Sequence, residues 1–161
     1  MNISANFTMQ ELTKTNTGLR NVPSRDQDRR IRVLVRRLLQ PLRDAVGPLQ
    51  VNSAFRSLEV NSAVGSHSGS QHVRGEAADI EGIDVTNFEV ATYIYNNMDF
   101  DQMILEYHQD DQPKWIHVSY KETGNRKETR IAIKKKTKTE YPLYTPSLSQ
   151  KIYGKELWRF H

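Results

Sequence analysis

The chain has 161 residues, with 23 Lys and Arg against 19 Asp and Glu, and contains no cysteine. That length suits one domain, or one domain with a tail, and the lack of thiols excludes disulfides, thiolate metal sites and cysteine nucleophiles together. With 37% hydrophobic and 26% charged residues, neither wholesale disorder nor a membrane span is expected, and the net charge of +4 permits polyanionic partners without choosing among them.

The segment from Met1 to Thr8 has no basic region followed by an apolar stretch, so no secretory signal peptide is expected. Thr8 and Glu11 stand in the order of a capping box and predict a short helix. Ser24 with Gln27 marks a second helix start, and Ile31, Leu34, Val35, Leu38, Leu39 and Leu42 recur at helical spacing to about Ala45. The arginines on its other side, Arg29 to Arg43, read as a solvated face or as a polyanion stripe, and the solvated reading is preferred. Gly47-Pro48 stops the helix, and Leu49 to Phe55 alternates as a strand. From Ser62 to Gly75 the chain is rich in Gly, Ser and His and reads as a functional loop. Ala77 to Ile80 follows as a buried strand, then a helix capped by Thr86 or Asn87 and ending near Asn97. Gln102 to Tyr107 and Trp115 to Tyr120 read as a hairpin, with one last strand at Arg130 to Ile133.

Chemistry concentrates in two places. His72 and Asp79 stand seven residues apart where a Gly-rich loop joins a strand, and strand alternation puts Trp115, His117 and Ser119 on one face. Two imidazoles and a carboxylate can hold a tetrahedral zinc ion with a fourth position open. Each residue alone also admits an ordinary structural reading: His117 as a core histidine, Asp79 as a turn cap.

Ser70-Gln71-His72-Val73-Arg74-Gly75-Glu76-Ala77-Ala78-Asp79 followed by Trp115-Ile116-His117-Val118-Ser119 resembles the signature of the zinc D-alanyl-D-alanine carboxypeptidase family, especially its phage-borne members. Phe55-Arg56-Ser57, Asn61 to Gly65 and Phe100-Asp101-Gln102 extend the likeness over roughly residues 6 to 130. The resemblance implies one zinc ion on His72, Asp79 and His117, with Arg56 steadying a substrate carboxylate or the developing oxyanion. Ser70 and His108 are candidates for substrate contact, and His67 ranks below the ligands as an exposed loop residue. Better-known members carry an acid three residues before the last His. Lys114 stands there in this chain and cannot act as a carboxylate base. Glu106 is the replacement that hairpin pairing suggests, because it falls across from or near Trp115; Asp110 or Asp111 in the turn is the fallback.

The expected fold is α+β, with N-terminal helices packed on a small antiparallel sheet that carries a zinc cleft. Residues 1–133 are expected to form the peptidase domain. Residues 134–161, with a basic run from Lys134 to Lys138 and aromatics including Tyr141, Tyr144, Tyr153, Trp158 and Phe160, are expected to pack on the domain or on a partner. The function implied is zinc-dependent hydrolysis of peptidoglycan stem peptides or cross-links by a phage enzyme of lysis or host penetration. It would be made in the cytoplasm and act on the wall or in the periplasm, with virion proteins as further partners through the tail. The alternative is an inactive zinc fold, used as hedgehog-like domains are, for wall binding or as a virion component. The basic run lacks interleaved aromatics and any nucleic-acid motif, so no nucleic-acid partner is expected.

Overall fold

The computed structural model describes residues 2–157; Trp158, Phe160 and His161 of the expected tail lie outside the described residues. The chain is α+β, built on a six-stranded sheet of order β1-β2-β4-β3-β5-β6, where β1 is Leu49–Ser53, β2 Ala77–Gly82, β3 Gln102–Glu106, β4 Trp115–Ser119, β5 Glu128–Lys134 and β6 Thr139–Glu140. The sheet is mixed, which corrects the all-antiparallel expectation. β5 runs parallel to β3, because the loop after β4 crosses the end of β3 and Glu128 N–H donates to the Asp101 carbonyl to start the new ladder.

Alternation divides each inner strand between two faces. Ala78, Ile80, Ile116, Val118, Met103, Leu105 and Ile131 point to one side and are fully buried. They pack with Ile31, Leu34, Val35, Leu38, Leu39 and Leu42 of the long N-terminal helical stretch and with Val90, Ala91 and Ile94 of α6 (Asn87–Asn97) in one core. Ser24 and Thr86 start these helices with full capping boxes. The long stretch is not the uniform helix that periodicity predicts. α2 (Arg25–Leu34) passes through a π-helical segment, Val35–Leu39, into α3 (Gln40–Val46). Pro41 lacks the amide an α-helix would use there, and the wider turn just before it relieves the clash with the preceding carbonyls. Its outer side is solvated, with Arg36 and Arg37 exposed and Arg32 paired to Asp28 at 2.6 Å.

Beyond β5 the chain returns to the same core. β6 pairs with β5, and in α7 (Pro146–Tyr153) Tyr153 is buried, its hydroxyl donating to the Tyr107 carbonyl at 2.7 Å; Leu157 is buried beside it. No helix among the described residues is long and apolar enough to cross a membrane.

Candidate metal centre and cleft

The face of the sheet opposite the core is left partly open and forms the floor of a cleft of about 900 Å³. Asp79 on β2 and His117 on β4 are register partners there. His72 comes from the other side of the cleft. The segment expected to be a loop, Ser62 to Gly75, follows a short helix, α4 (Leu58–Ala63), and itself holds a single helical turn, α5 (Gln71–Arg74), which carries His72. Four residues are too few to show periodicity, which is why the turn was not visible in the pattern. Ser70 caps it by accepting from the His72 amide at 3.2 Å. Gly75 ends it at φ 83°, and a Cβ there would stand 2.7 Å from the Gln27 carbonyl oxygen, so only glycine lets the turn sit against α2.

His72 is oriented by a bond to the backbone. His72 Nδ1 lies 2.6 Å from the Ala54 carbonyl, so Nδ1 carries the proton and Nε2 is left bare toward the cleft. That Nε2 is 3.3 Å from Asp79 Oδ1, and His117 Nδ1 is 3.0 Å from the same oxygen. The donor atoms of all three residues lie within 4.8 Å of one another. Metal–ligand bonds of ~2.0 to 2.1 Å in a tetrahedron separate neighbouring donors by roughly 3.3 to 3.4 Å, so these spacings fit one zinc ion with small adjustment. Protonation states agree. Burial pushes His72 toward the neutral form. Burial opposes ionisation of Asp79 as well, but His72 and His117 together outweigh it and hold the carboxyl far below the usual range. Neutral imidazole and ionised carboxylate are the forms that bind metal.

Arg56 follows an irregularity in β1 near Ser53, which stands opposite Asp79. Its Nη2 is 3.4 Å from Asp79 Oδ2, while Nε donates to Ser53 Oγ at 3.0 Å. Glu106 pairs with Trp115 in the hairpin, two residues along from the Ile104–His117 pair, and so lies diagonal to His117 on the cleft face. It is 9% exposed, and its carboxyl has no hydrogen bond among the described residues. Burial pushes it up to about 7, with His117 pulling it down and Asp79 pushing it further up.

The other expected residues separate clearly. Ser70 and His67 line the cleft, and His67 is exposed. His108, Asp110 and Asp111 are exposed in the hairpin turn and are not among the cleft-lining residues; Lys114 is exposed too. Residues that sequence reading passed over also reach the cleft. Asp101 is fully buried: burial works against its ionisation, but bonds from Arg126 and Gln71 hold the carboxyl below the usual range. Lys121, Arg130 and Tyr141 also line the cleft. Alternation around Ile131 and Ile133 puts Arg130 on the open face, but only the pairing with β3 shows that this face is the cleft.

The chain is 40% identical over 78 residues to the zinc D-Ala-D-Ala carboxypeptidase of Streptomyces albus G, an alignment that covers 47% of this chain and 31% of that protein. It therefore spans less than a third of that relative's length in the matched region. The sequence profile of the peptidase M15 family matches residues 5–119, a stretch that holds all three metal-site residues, Arg56 and Glu106, and the chain belongs to the peptidase M15 family.

Proposed function

We propose that this protein is a zinc-dependent peptidase that hydrolyses peptide bonds in peptidoglycan stem peptides or cross-links. The observation that carries the reading is the convergence of His72, Asp79 and His117 with a buried, unpaired carboxyl, Glu106, on one open sheet face. The name of the Streptomyces relative supplies the metal and the substrate class.

In this reading His72, Asp79 and His117 hold the ion. Zinc there would act as a Lewis acid on the scissile carbonyl and make an adjacent water more acidic. Glu106 takes a proton from the attacking water at its carboxylate and returns it to the leaving amine; a base poised near neutrality suits both steps. Arg56, its guanidinium braced by Ser53 and Asp79, turns its remaining N–H groups to a substrate carboxylate or to the developing oxyanion. Ser70 sits at the cleft wall beside His72, as a contact for substrate. Wall-directed action in a phage lysis or penetration system, with residues 134–161 as a docking element, belongs to the same proposal.

The test is release of amino groups from purified peptidoglycan by wild type and by Glu106→Gln, with zinc content measured for each. Wild type is expected to cleave, and Glu106→Gln to fall by roughly 10²- to 10⁴-fold at equal zinc. If both hold zinc and neither cleaves, the enzyme reading fails and the wall-binding module takes its place.

A further inference from the structure

Strand register sets one row of residues across the cleft face. Asp79 on β2 is opposite His117 on β4, His117 is opposite Ile104 on β3, and Ile104 is beside Arg130 on β5. With neighbouring strands ~4.8 Å apart, Arg130 stands roughly 10 Å from His117 across the sheet. Arg56 lies against Asp79 on the other side of the metal-site residues. The metal centre thus sits between two guanidinium groups, with Ile104 as an apolar step on the way to the farther one.

Arg130 is held in place and not saturated. Its Nε donates to Glu128 Oε1 at 2.7 Å and its Nη1 to the Tyr141 carbonyl at 2.7 Å, while Nη2 has no hydrogen bond among the described residues. Arg126 is clamped in turn by two bonds to Asp101, at 3.0 and 2.9 Å, and is half exposed. Lys121 also lines the cleft and has no ion pair among the described residues. The two carboxylates that brace the guanidiniums leave this end of the cleft with positive charge to spare. Lys121, Arg126 and Arg130 all come after residue 119, outside the stretch that defines the family.

We propose that Arg130, with Arg126 and Lys121, forms a subsite for a free carboxylate carried by the substrate peptide about three residues to the N-terminal side of the scissile bond. The spacing follows from roughly 10 Å of cleft and ~3.3 Å per extended residue. The direction follows from Arg56 in its role as the holder of a substrate carboxylate, which places that carboxylate on the C-terminal side of the bond. A braced guanidinium grips a carboxylate through parallel charge-assisted bonds, so the cleft selects peptides by charge and length as well as by the bond cut. This inference rests on the peptidase reading.

The test uses two matched peptides, one with a carboxylate and one with a carboxamide on the third residue before the scissile bond. Wild type is expected to prefer the carboxylate by roughly ten-fold in kcat/KM, mostly through KM, the scale of one charge-assisted hydrogen bond. In Arg130→Met the ratio falls to near one. Lys121→Met, which breaks no ion pair among the described residues, lowers it part of the way and serves if Arg130→Met does not fold. A wild-type ratio near one, or a ratio unmoved by both substitutions, overturns the subsite. Calorimetric binding of the same peptides separates the two proposals. If wild type cuts neither peptide but binds the carboxylate form more tightly, and the variants do not, the subsite stands and the peptidase reading falls; equal binding overturns the subsite.

Discussion

The two faces of the central sheet are made by the same strands and have opposite chemistry. Leu105 and Ile116 point into a closed aliphatic core, whereas their neighbours Ile104, Glu106 and His117 face an open cleft with charges on either side. The core face is aliphatic apart from Thr129 on β5, whose buried hydroxyl has no hydrogen-bond partner among the described residues. The cleft face keeps a buried carboxyl, Glu106, whose side chain has no hydrogen bond among the described residues, and an acid there costs far more to desolvate than a threonine hydroxyl. Stability resides on one face and chemistry on the other, one residue apart along each strand.

Adjacent residues can break this comparison most directly. Leu105→Ala is expected to destabilise the protein by about 2 to 5 kcal/mol, because it leaves a closed void. Ile104→Ala is expected to cost clearly less, since its void opens to the cleft and fills with water. Urea unfolding of both variants gives the answer, and equal losses would mean that the cleft face is packed like the core.

A pH series on metal-free protein sharpens the contrast. Glu106 titrates near 7 in the folded chain and near 4.5 when unfolded, so between these values the folded state holds the extra proton and stability falls as pH rises. The loss is about 3 kcal/mol, complete above pH 7. His72, shifted downward, acts in the opposite sense: its contribution is full above its unfolded value and is lost as pH falls toward its folded one. Comparing wild type with Glu106→Gln isolates the first effect, since only wild type should show the loss attributable to this carboxyl. Identical pH profiles would mean that Glu106 is not held in a desolvated site.

A smaller effect is expected where the C-terminal segment closes the core under the cleft edge. Tyr153→Phe removes the hydroxyl that donates to the Tyr107 carbonyl and should cost about 1 kcal/mol in thermal or urea unfolding. No change would mean that water replaces the bond and that this edge of the cleft is looser than the buried Tyr153 ring implies.

Local signals made much of this legible in the sequence. Cap signals at Ser24 and at Thr86 or Asn87, with the apolar periodicity after Ile31, located the main helices, and period-two alternation put His117 on one face of β4 with Trp115 and Ser119. The Glu106–Trp115 pairing followed from the hairpin, since antiparallel neighbours joined by a turn constrain each other's register. What escaped depends on contacts between distant segments. The parallel ladder of β3 with β5 has no local signature, and without it Arg130 is a surface arginine instead of the end of the Asp79–His117–Ile104 row. Asp101 meets Arg126 and Gln71 only after folding, so no spacing in the chain points to it. Likewise, nothing in the apolar periodicity through Leu42 marks the π-helical segment before Pro41.

The central claim is that one zinc ion is held by His72, Asp79 and His117 on the cleft face. Zinc content of purified protein after exhaustive dialysis, measured for wild type, Glu106→Gln and His117→Ala with folding checked by circular dichroism, tests it most directly. The account predicts one zinc per folded chain in wild type and in Glu106→Gln, and little or none in folded His117→Ala. Zinc retained at full stoichiometry by His117→Ala, or missing from folded wild type, would contradict it.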